Sequence, residues 1–497
     1  MTSESVTSES VTSASGSHGL DTSTPRGPQA AVLGAPDLDA LPAPIREDPN
    51  PGLSRRALHL VYDLLWLLAT LVGSPWLLWK CFSTPGFARM VRERLGFGLA
   101  SVPAPKPGRP RVLVHGVSVG EIKAAVSIVR ALEEQRPDLE VVLCATTDTG
   151  MQVARDLFPE HLLVRFPADL APCVRRFLRR VGPACAVLVE LEIWPNLLRR
   201  ANRAGIPVAV VNGRITHKSF GQYRLFRHLL PQFNRISLFC VQAEEYAERF
   251  RGLYVPRERV VITGNVKVDG LPVGRLSAPP ELVRCVGAQA GQPVLVAGST
   301  HEPEESWVVR AWAECAPEAR LVLVPRHPRR AAELVRSLTE LGARPQLYTQ
   351  LMAGEESQPE RPLIVDTIGQ LESIYALATV VYVGGSLVPH GGQNVLEPAA
   401  QALPVLTGPH VCNFTQEVAL LEGAGGLERL EEVEQLGPAL ARLLGNPDGA
   451  SERGRRGQEA VRSQAGATAL TLAALERSCL PPSPRGGDCP SPSPGLS

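Results

Sequence analysis

Several short stretches carry side chains whose types and spacing can do chemistry. HGVSVGE, residues 115 to 121, holds Gly116, Ser118 and Gly120 in the GxSxG pattern of a serine nucleophile elbow and ends on Glu121. That elbow needs an oxyanion donor from an earlier loop of the same sheet, and RVLVHG (111–116) is the first strand of its series, so no such loop precedes it. Ser118 and Glu121 also have the SxxE spacing of a capping box, in which each side chain satisfies a backbone donor at a helix start. A carboxylate there is stabilised as the anion and is thereby available as a base. Cap and base both fit the local sequence. ELEIWPN (190–196) places Glu190 and Glu192 on one side of a strand as it ends. They are either general-base or charge-stabilising groups, or caps for a helix starting near Pro195. In TGNVKVD (263–269), Lys267 is either a salt-bridge partner in a linker or a cation facing a cleft.

Two further stretches suit an anionic ligand. PRHP (325–328) follows the apolar run LVLV, so Arg326 and His327 emerge at the carboxyl end of a strand, where an anion can be held; a plain surface turn is the alternative. GGSLVPHGGQNVLEP (384–398) runs a buried strand into a glycine-rich loop whose amides can approach a phosphate, with Asn394 to Glu397 opening the next helix. A Glu at that place can accept hydrogen bonds from both hydroxyls of a ribose. A glycine-rich turn without a ligand is the competing reading.

The elements that must position these residues repeat. From residue 111, short apolar runs alternate with amphipathic stretches: RVLVHG, then a helix over 121–135 with Ile122, Val126, Val129 and Leu132 on one face, then EVVLCATT, LLVRFP, ACAVLVELE and PVAVVNGRI with helices between them. The series restarts at PVLVAGST (293–300) and continues through ARLVLVPRHP, PLIVDT, TVVYVGGS and LPVLTG. Both series open alike, with a strand, a small-residue loop, Ser118 or Ser299, a Glu three residues on (Glu121, Glu302) and a helix. The pattern predicts an α/β protein of two doubly wound, Rossmann-like domains, 81–275 and 285–475, facing a cleft at the carboxyl ends of their parallel strands.

Composition narrows the partners. Lys and Arg number 51 against 50 for Asp and Glu, which leaves no net charge for gripping nucleic acid. The 10 cysteines form no CxxC and stand near no His pair, so they suggest neither a metal site nor a disulfide framework. Residues 1–52 and 481–497 are rich in Ser, Thr, Pro and Gly and are expected to be disordered tails. Between the first tail and the core, residues 53–80 form an apolar segment with no charge from Leu64 to Trp79, flanked by Arg55, Arg56 and Lys80. With Trp66, Trp76 and Trp79 as interfacial residues, it reads as a helical membrane anchor, spanning or lying in one leaflet; a buried helix of the first domain is the alternative.

Together, HGVSVGE, TTDTG, ELEIWPN, VNGRI, TGNVKVD, STHEPEE, VLVPRHP, DTIGQ, GGSLVPHGGQN and LEPAAQALPVLTGPH resemble one family over roughly residues 57–475, the Kdo transferases. These are membrane-associated glycosyltransferases of the GT-B type. The resemblance implies transfer of 3-deoxy-D-manno-octulosonic acid (Kdo) from CMP-Kdo to a lipid A precursor (lipid IVA), with inversion, at the cytoplasmic face of the inner membrane, and without metal or other cofactor. It implies Glu121 as the base that deprotonates the acceptor hydroxyl, and Glu190 and Lys267 as stabilisers of the developing charge. It places CMP on Pro325 and Arg326, on Ile368, Gly369 and Gln370, and on Asn394, Val395, Leu396 and Glu397. This sequence departs from the family where HN and a following Pro are common, having Gln393, Asn394 and Val395, and where a Glu is common in the DT turn, having Gln370. Another GT-B transferase, a nucleotide-sugar epimerase, or a membrane-attached nucleotide-sugar binder without catalysis are the competing functions. Retention of Glu121, Glu190 and Lys267 together speaks against the last.

Overall fold

Apolar runs that alternate with amphipathic helices have to bury both faces of their strands, and the chain does this twice. The structure is a computed structural model and describes residues 37–49, 52–226 and 232–483. The first sheet has seven strands: β1 (Arg111–Gly116), β2 (Glu140–Ala145), β3 (Leu162–Arg165), β4 (Pro183–Val189), β5 (Val208–Gly213), β6 (Leu238–Val241) and β7 (Val260–Ile262), ordered β3-β2-β1-β4-β5-β6-β7. The second also has seven: β8 (Val294–Thr300), β9 (Arg320–Pro325), β10 (Gln346–Leu347), β11 (Leu363–Ile364), β12 (Val380–Val383), β13 (Val405–Thr407) and β14 (Leu427–Arg429), ordered β10-β11-β9-β8-β12-β13-β14. Every pairing is parallel. The chain is therefore an α/β protein with two doubly wound sheets.

Each strand feeds two cores, because successive side chains point to opposite faces. On β1, Leu113 joins Val174, Phe177, Leu197 and Leu198 on one face. Its neighbours Val112 and Val114 join Ala125, Ile128, Val129 and Leu132 of the helix Val119–Gln135 on the other. On β8, Val296 packs with Ile374, Tyr375 and Leu396, whereas Leu295 and Ala297 pack with Val308, Val309 and Trp312. The sheet centre so formed is rigid, and the loops that leave its carboxyl ends carry the candidate residues.

The domain limits differ from those expected at both ends of the second unit. Leu271 and Ala278 already pack with its core, and Arg275 donates to the carbonyls of Ala376 and Ala378, so residues before 285 belong to that layer. At the other end, the helix Ala467–Ser478 crosses back and lays Leu472 and Leu475 on the helix Val119–Gln135 of the first unit. An amphipathic pattern tells that a helix has an apolar face but not which sheet the face meets. Asp269 ties the two crossings together by accepting hydrogen bonds from the amides of Gly466 (2.8 Å) and Thr468.

The apolar segment is one helix, Leu53–Ser83, with a mean hydropathy of 1.5 over its most apolar window from Ala57 to Ser83. Its first part is docked. His59 is buried, the Tyr62 hydroxyl donates to Asp169 (3.0 Å), and Asp63 accepts from Asn196 (2.7 Å) and Arg199 (3.1 Å). Beyond that, Leu64, Leu67, Leu68, Leu71, Val72, Trp76 and Trp79 are exposed. The reading of this segment as a buried core helix fails for that outer part.

The expectation that residues 1–52 form one disordered tail is corrected for residues 37–49; residues 1–36 and 484–497 lie outside the described residues. Leu38 and Leu41 pack on the first unit's core, the amide of Ile45 donates to Ser237 (2.9 Å), and Asp48 pairs with the fully buried Arg235 (2.8 Å). Ser- and Pro-rich composition hid this strap because its contacts are few and long-range. Replacing one partner of a buried pair strands the other, so Asp48→Asn is expected to lower the free energy of unfolding by about 2–4 kcal/mol. The exposed Asp37→Asn should change it by less than about 0.5 kcal/mol, both read from denaturant melts.

Candidate active site

Glu121 sits in the first turn of the helix Val119–Gln135, directly beyond β1. Its carboxylate accepts hydrogen bonds from the Val117 amide and from the Ser118 hydroxyl (3.2 Å). Ser118 occupies the N-cap position but its side chain caps no helix amide, and the glutamate reaches back to the amide of Val117, one residue before the cap, so the reciprocal capping box does not form. The GxSxG hydroxyl thus serves as a donor to a carboxylate. Gly116 is required by the close approach of this turn, since a Cβ there would lie 3.1 Å from the Glu121 backbone and from the Ile122 amide. Burial pushes the Glu121 carboxyl above its usual range, the Val117 amide opposes that, and the nearby Glu190 adds to it.

Glu190 is the residue at which β4 stops. The strand ends at Val189, and Glu190 takes a left-handed backbone (φ 63°), so it leaves the sheet instead of continuing the alternation expected of ELE. Non-glycine residues in that region are strained and collect at functional loops. Asn212 at the end of β5 (φ 54°) and Ser299 at the end of β8 (φ 56°) share the trait. The Glu190 carboxylate accepts from Lys267 Nζ at 2.7 Å and lies 3.7 Å from Arg214. Lys267 is held in turn: its amide donates to Asn265 Oδ1 (3.1 Å), and the next turn's start, the Val266 amide, donates to Asn212 Oδ1 (3.2 Å).

The helix Pro195–Arg203 does not use Glu190 or Glu192 as its cap. Asp169, arriving from another loop, accepts from the amides of Asn196 (3.0 Å) and Leu197 (2.9 Å). Both glutamates are left for the cluster. Burial pushes the Glu192 carboxyl up to about 7, with the charges of Glu121 and Glu190 acting in the same direction. Glu417, from the second unit, completes the group; burial raises it, while Arg214 and Lys267 hold it back. Asn265 donates to Glu417 at 3.3 Å, so the acidic cluster of the first unit meets the second unit here.

In the second unit, Pro325, Arg326, Ile368, Gly369 and Gln370 border one cavity of about 530 Å³, together with Ser299 and His327. Arg326 and Ile368 are exposed at its edge, and Gly369 has a positive φ of 92° with open space where a Cβ would stand. Asn394, Val395, Leu396 and Glu397 do not line that cavity. Val395 and Leu396 are buried in the core, and Asn394 clamps the short turn by accepting from the Leu396 amide (3.0 Å) and donating to Glu397 (2.9 Å). Burial raises the Glu397 carboxyl; Lys123, from the first unit's helix, opposes that, which places this loop across from Glu121's helix.

The sequence parallel between Glu121 and Glu302 fails. Glu302 is exposed and pairs with Arg330 (3.5 Å). Its role falls to the buried Glu304, which accepts from the amides of His301 (2.9 Å), Gly385 (2.7 Å), Ser386 (3.0 Å) and Leu387 (3.0 Å) and from the Tyr382 hydroxyl (2.7 Å). This carboxylate fixes the glycine-rich loop, and a Cβ on Gly384 would reach within 2.8 Å of it. Glu304 is the second of three acids in STHEPEE, and the stretch gives no sign of its depth.

The family model described as 3-Deoxy-D-manno-octulosonic-acid transferase (kdotransferase) matches residues 89–270. The chain is 32% identical over 417 residues to a 3-deoxy-D-manno-octulosonic acid transferase of Haemophilus influenzae, covering 79% of this chain and 92% of that one. The chain belongs to the Kdo transferase family. A Kdo transferase of Bordetella pertussis is 31% identical over 444 residues, 86% of this chain and 98% of its own. In fold, the Kdo transferase chain resembles a Rickettsia africae glycosyltransferase (TM-score 0.52, 9% identity, 74% of this chain and 97% of that one). It also resembles the Neisseria meningitidis UDP-GlcNAc 2-epimerase (TM-score 0.51, 12% identity, 73% and 99%). These likenesses concern the two-sheet fold alone.

The Glu192 carboxyl gives the Kdo transferase a pH signature. Its folded value, about 7, lies above the usual 4.5, so between these limits the native state holds the extra proton and stability falls as pH rises. Glu192→Gln removes that loss. The variant is expected to match the wild type near pH 4.5 and to exceed it by roughly 1–2 kcal/mol above pH 7. Denaturant melts at pH 5 and pH 8 check this, and an equal offset at both would contradict it.

Proposed function

We propose that this chain transfers Kdo from CMP-Kdo to a hydroxyl of a lipid A precursor, by a single displacement with inversion at the ketosidic C2. The observation that carries the reading is the meeting of Glu121 with the Glu190–Lys267 pair at the carboxyl ends of the first sheet's strands, opposite the donor-side loops. Glu121 takes the proton of the acceptor hydroxyl. Its raised carboxyl suits a base that must hold that proton, and the Val117 and Ser118 donors fix its rotamer. Lys267, oriented by Glu190, offers a positive charge where negative charge moves from the attacking oxygen toward the leaving phosphate. Pro325, Arg326, Ile368, Gly369 and Gln370 border the pocket that receives CMP, with the Asn394–Glu397 turn facing the sugar side. The residues present supply this charge stabilisation through side chains and backbone, as a monophosphate leaving group allows.

The exposed apolar face from Leu64 to Trp79 fits insertion into the membrane that holds a lipid acceptor. The docked Tyr62 and Asp63 then set that membrane beside Asp169 and the helix after Glu192. Lys80, stacked over Trp76 at 4.8 Å, and Arg89 and Arg92 beyond it suit anionic headgroups. A soluble CMP-sugar donor puts the two sheets on the cytoplasmic face of the inner membrane.

Transfer from CMP-Kdo to a tetra-acylated lipid A precursor, followed by mass spectrometry, tests the whole reading; absence of product with a live donor supply would sink it. Glu121→Gln is expected to lose at least about 100-fold in turnover while still binding CMP, as removal of a general base does. Loss of folding and of CMP binding in that variant would assign Glu121 a structural role only. Replacing Leu67, Leu71 and Leu78 by Ser should release the protein from vesicles yet leave its melting transition in place.

A further inference from the structure

Three imidazoles meet next to the donor cavity, one of them, His327, lining it, and nothing in the mechanism above uses them. His301 follows β8, His327 follows β9, and His390 lies in the glycine-rich loop after β12. The His301 ring stacks on His390 with centroids 4.3 Å apart and planes 24° off parallel, and it meets His327 edge-on at 5.8 Å. Three separate strand ends thus deliver one aromatic cluster. Gly385 makes room for it, because a Cβ there would approach His301 Cδ2 at 3.2 Å. Gln393 brings its amide nitrogen to 3.5 Å from His301 Nε2. The His301 amide is held by Glu304, the same carboxylate that fixes the loop carrying His390. No group of three metal-ligating side chains is arranged for an ion among the described residues.

The charges around the cluster all concern protons. His301 is held below its usual value, by burial first, then by His390, with His327 and Arg326 adding to it and Glu304 opposing. His327 is lowered by burial and by Arg326, Arg329, Arg330 and His390. Arg330 itself is shared with Glu302, Glu305 and Glu333. Burial and the neighbouring guanidinium groups therefore disfavour the charged forms of His301 and His327. An anion placed among them reverses the balance, since it offsets the guanidinium repulsion and hydrogen-bonds to an imidazolium.

We propose that His301, His327 and His390, with Arg326, form the seat of the leaving phosphate and take up a proton from solvent when that phosphate binds. This rests on the donor reading above. In the reaction, the C2–O bond to phosphate breaks with its electron pair going to the phosphate oxygen. The acceptor oxygen forms the new bond to C2, and its proton goes to Glu121. The imidazolium proton stays on its ring and hydrogen-bonds to the phosphate, whose charge grows from a monoanionic diester to a dianionic monoester. The seat is strongest for the product phosphate and so favours departure without a metal ion.

Calorimetric titration of the full chain with CMP at pH 7.5, in two buffers of different ionisation enthalpy, reads proton uptake directly. The wild type should take up a substantial fraction of a proton per CMP bound. His301→Asn and His390→Asn should each lose most of that uptake and bind CMP about 10-fold more weakly, with cytidine binding unchanged within about twofold. The cytidine arm and a thermal melt separate loss of the phosphate seat from loss of folding. CMP binding without proton uptake in the wild type, or uptake that survives in both variants, would overturn the proposal while leaving the donor reading intact. Failure of the folded wild type to bind CMP would remove the donor reading and this inference with it.

Discussion

One ion pair organises the candidate site: Lys267 Nζ to Glu190 Oε1 at 2.7 Å. Glu190 is held in a strained left-handed backbone at the end of β4, while Lys267 stands in the short turn by which the chain leaves the first unit. The pair therefore links the sheet's rim to the crossing between units. Asn212 and Asn265 fix the turn from either side, and Asp269, two residues on, clasps the returning chain at Gly466 and Thr468.

Electrostatics explains why so many acids tolerate one another there. Glu121, Glu190, Glu192 and Glu417 lie close enough to perturb each other, with Lys267 and Arg214 as the cations between them. The cluster has more acid than base, so some carboxyls must stay protonated longer than usual, and burial decides which. Glu190 makes the direct contact with Lys267; Glu192 and Glu121 are pushed upward. A base that must accept a proton from a sugar hydroxyl gains from that push. On the opposite side, the buried Glu304 is satisfied by four amides and a phenol, and its task is to hold a loop. The two units thus use a carboxylate beyond the first strand for different ends.

The alternation of runs made both sheets legible, and the motifs at strand ends placed Glu121, Glu190, Lys267 and the Pro325–Arg326 turn at the right elements. Local pattern could not tell depth. It paired Ser299 with Glu302, whereas the buried partner of the loop is Glu304. It offered Glu190 or Glu192 as caps for the Pro195 helix, whereas Asp169, nearly 30 residues upstream, takes that place. It read residues 37–49 as part of a tail because a strap held by Asp48, Ile45 and two leucines leaves no periodicity. It assigned the last helix to the second unit because sequence order is the only guide when an apolar face has no address. Each miss concerns a contact across more than 25 residues, where composition and spacing carry no information.

Glu121, read as the base, owes its raised proton affinity to burial first and to the neighbouring charge of Glu190 second. The pH dependence of kcat/KM, measured for the wild type and for Glu190→Gln, tests it most directly. The acid limb of the wild-type profile should reflect a carboxyl raised above the ordinary glutamate range. In Glu190→Gln, with one negative neighbour gone and Lys267 released, that limb should move to lower pH even as the rate falls. An acid limb that stays where it was, or one that persists unchanged in Glu121→Gln, would contradict the account.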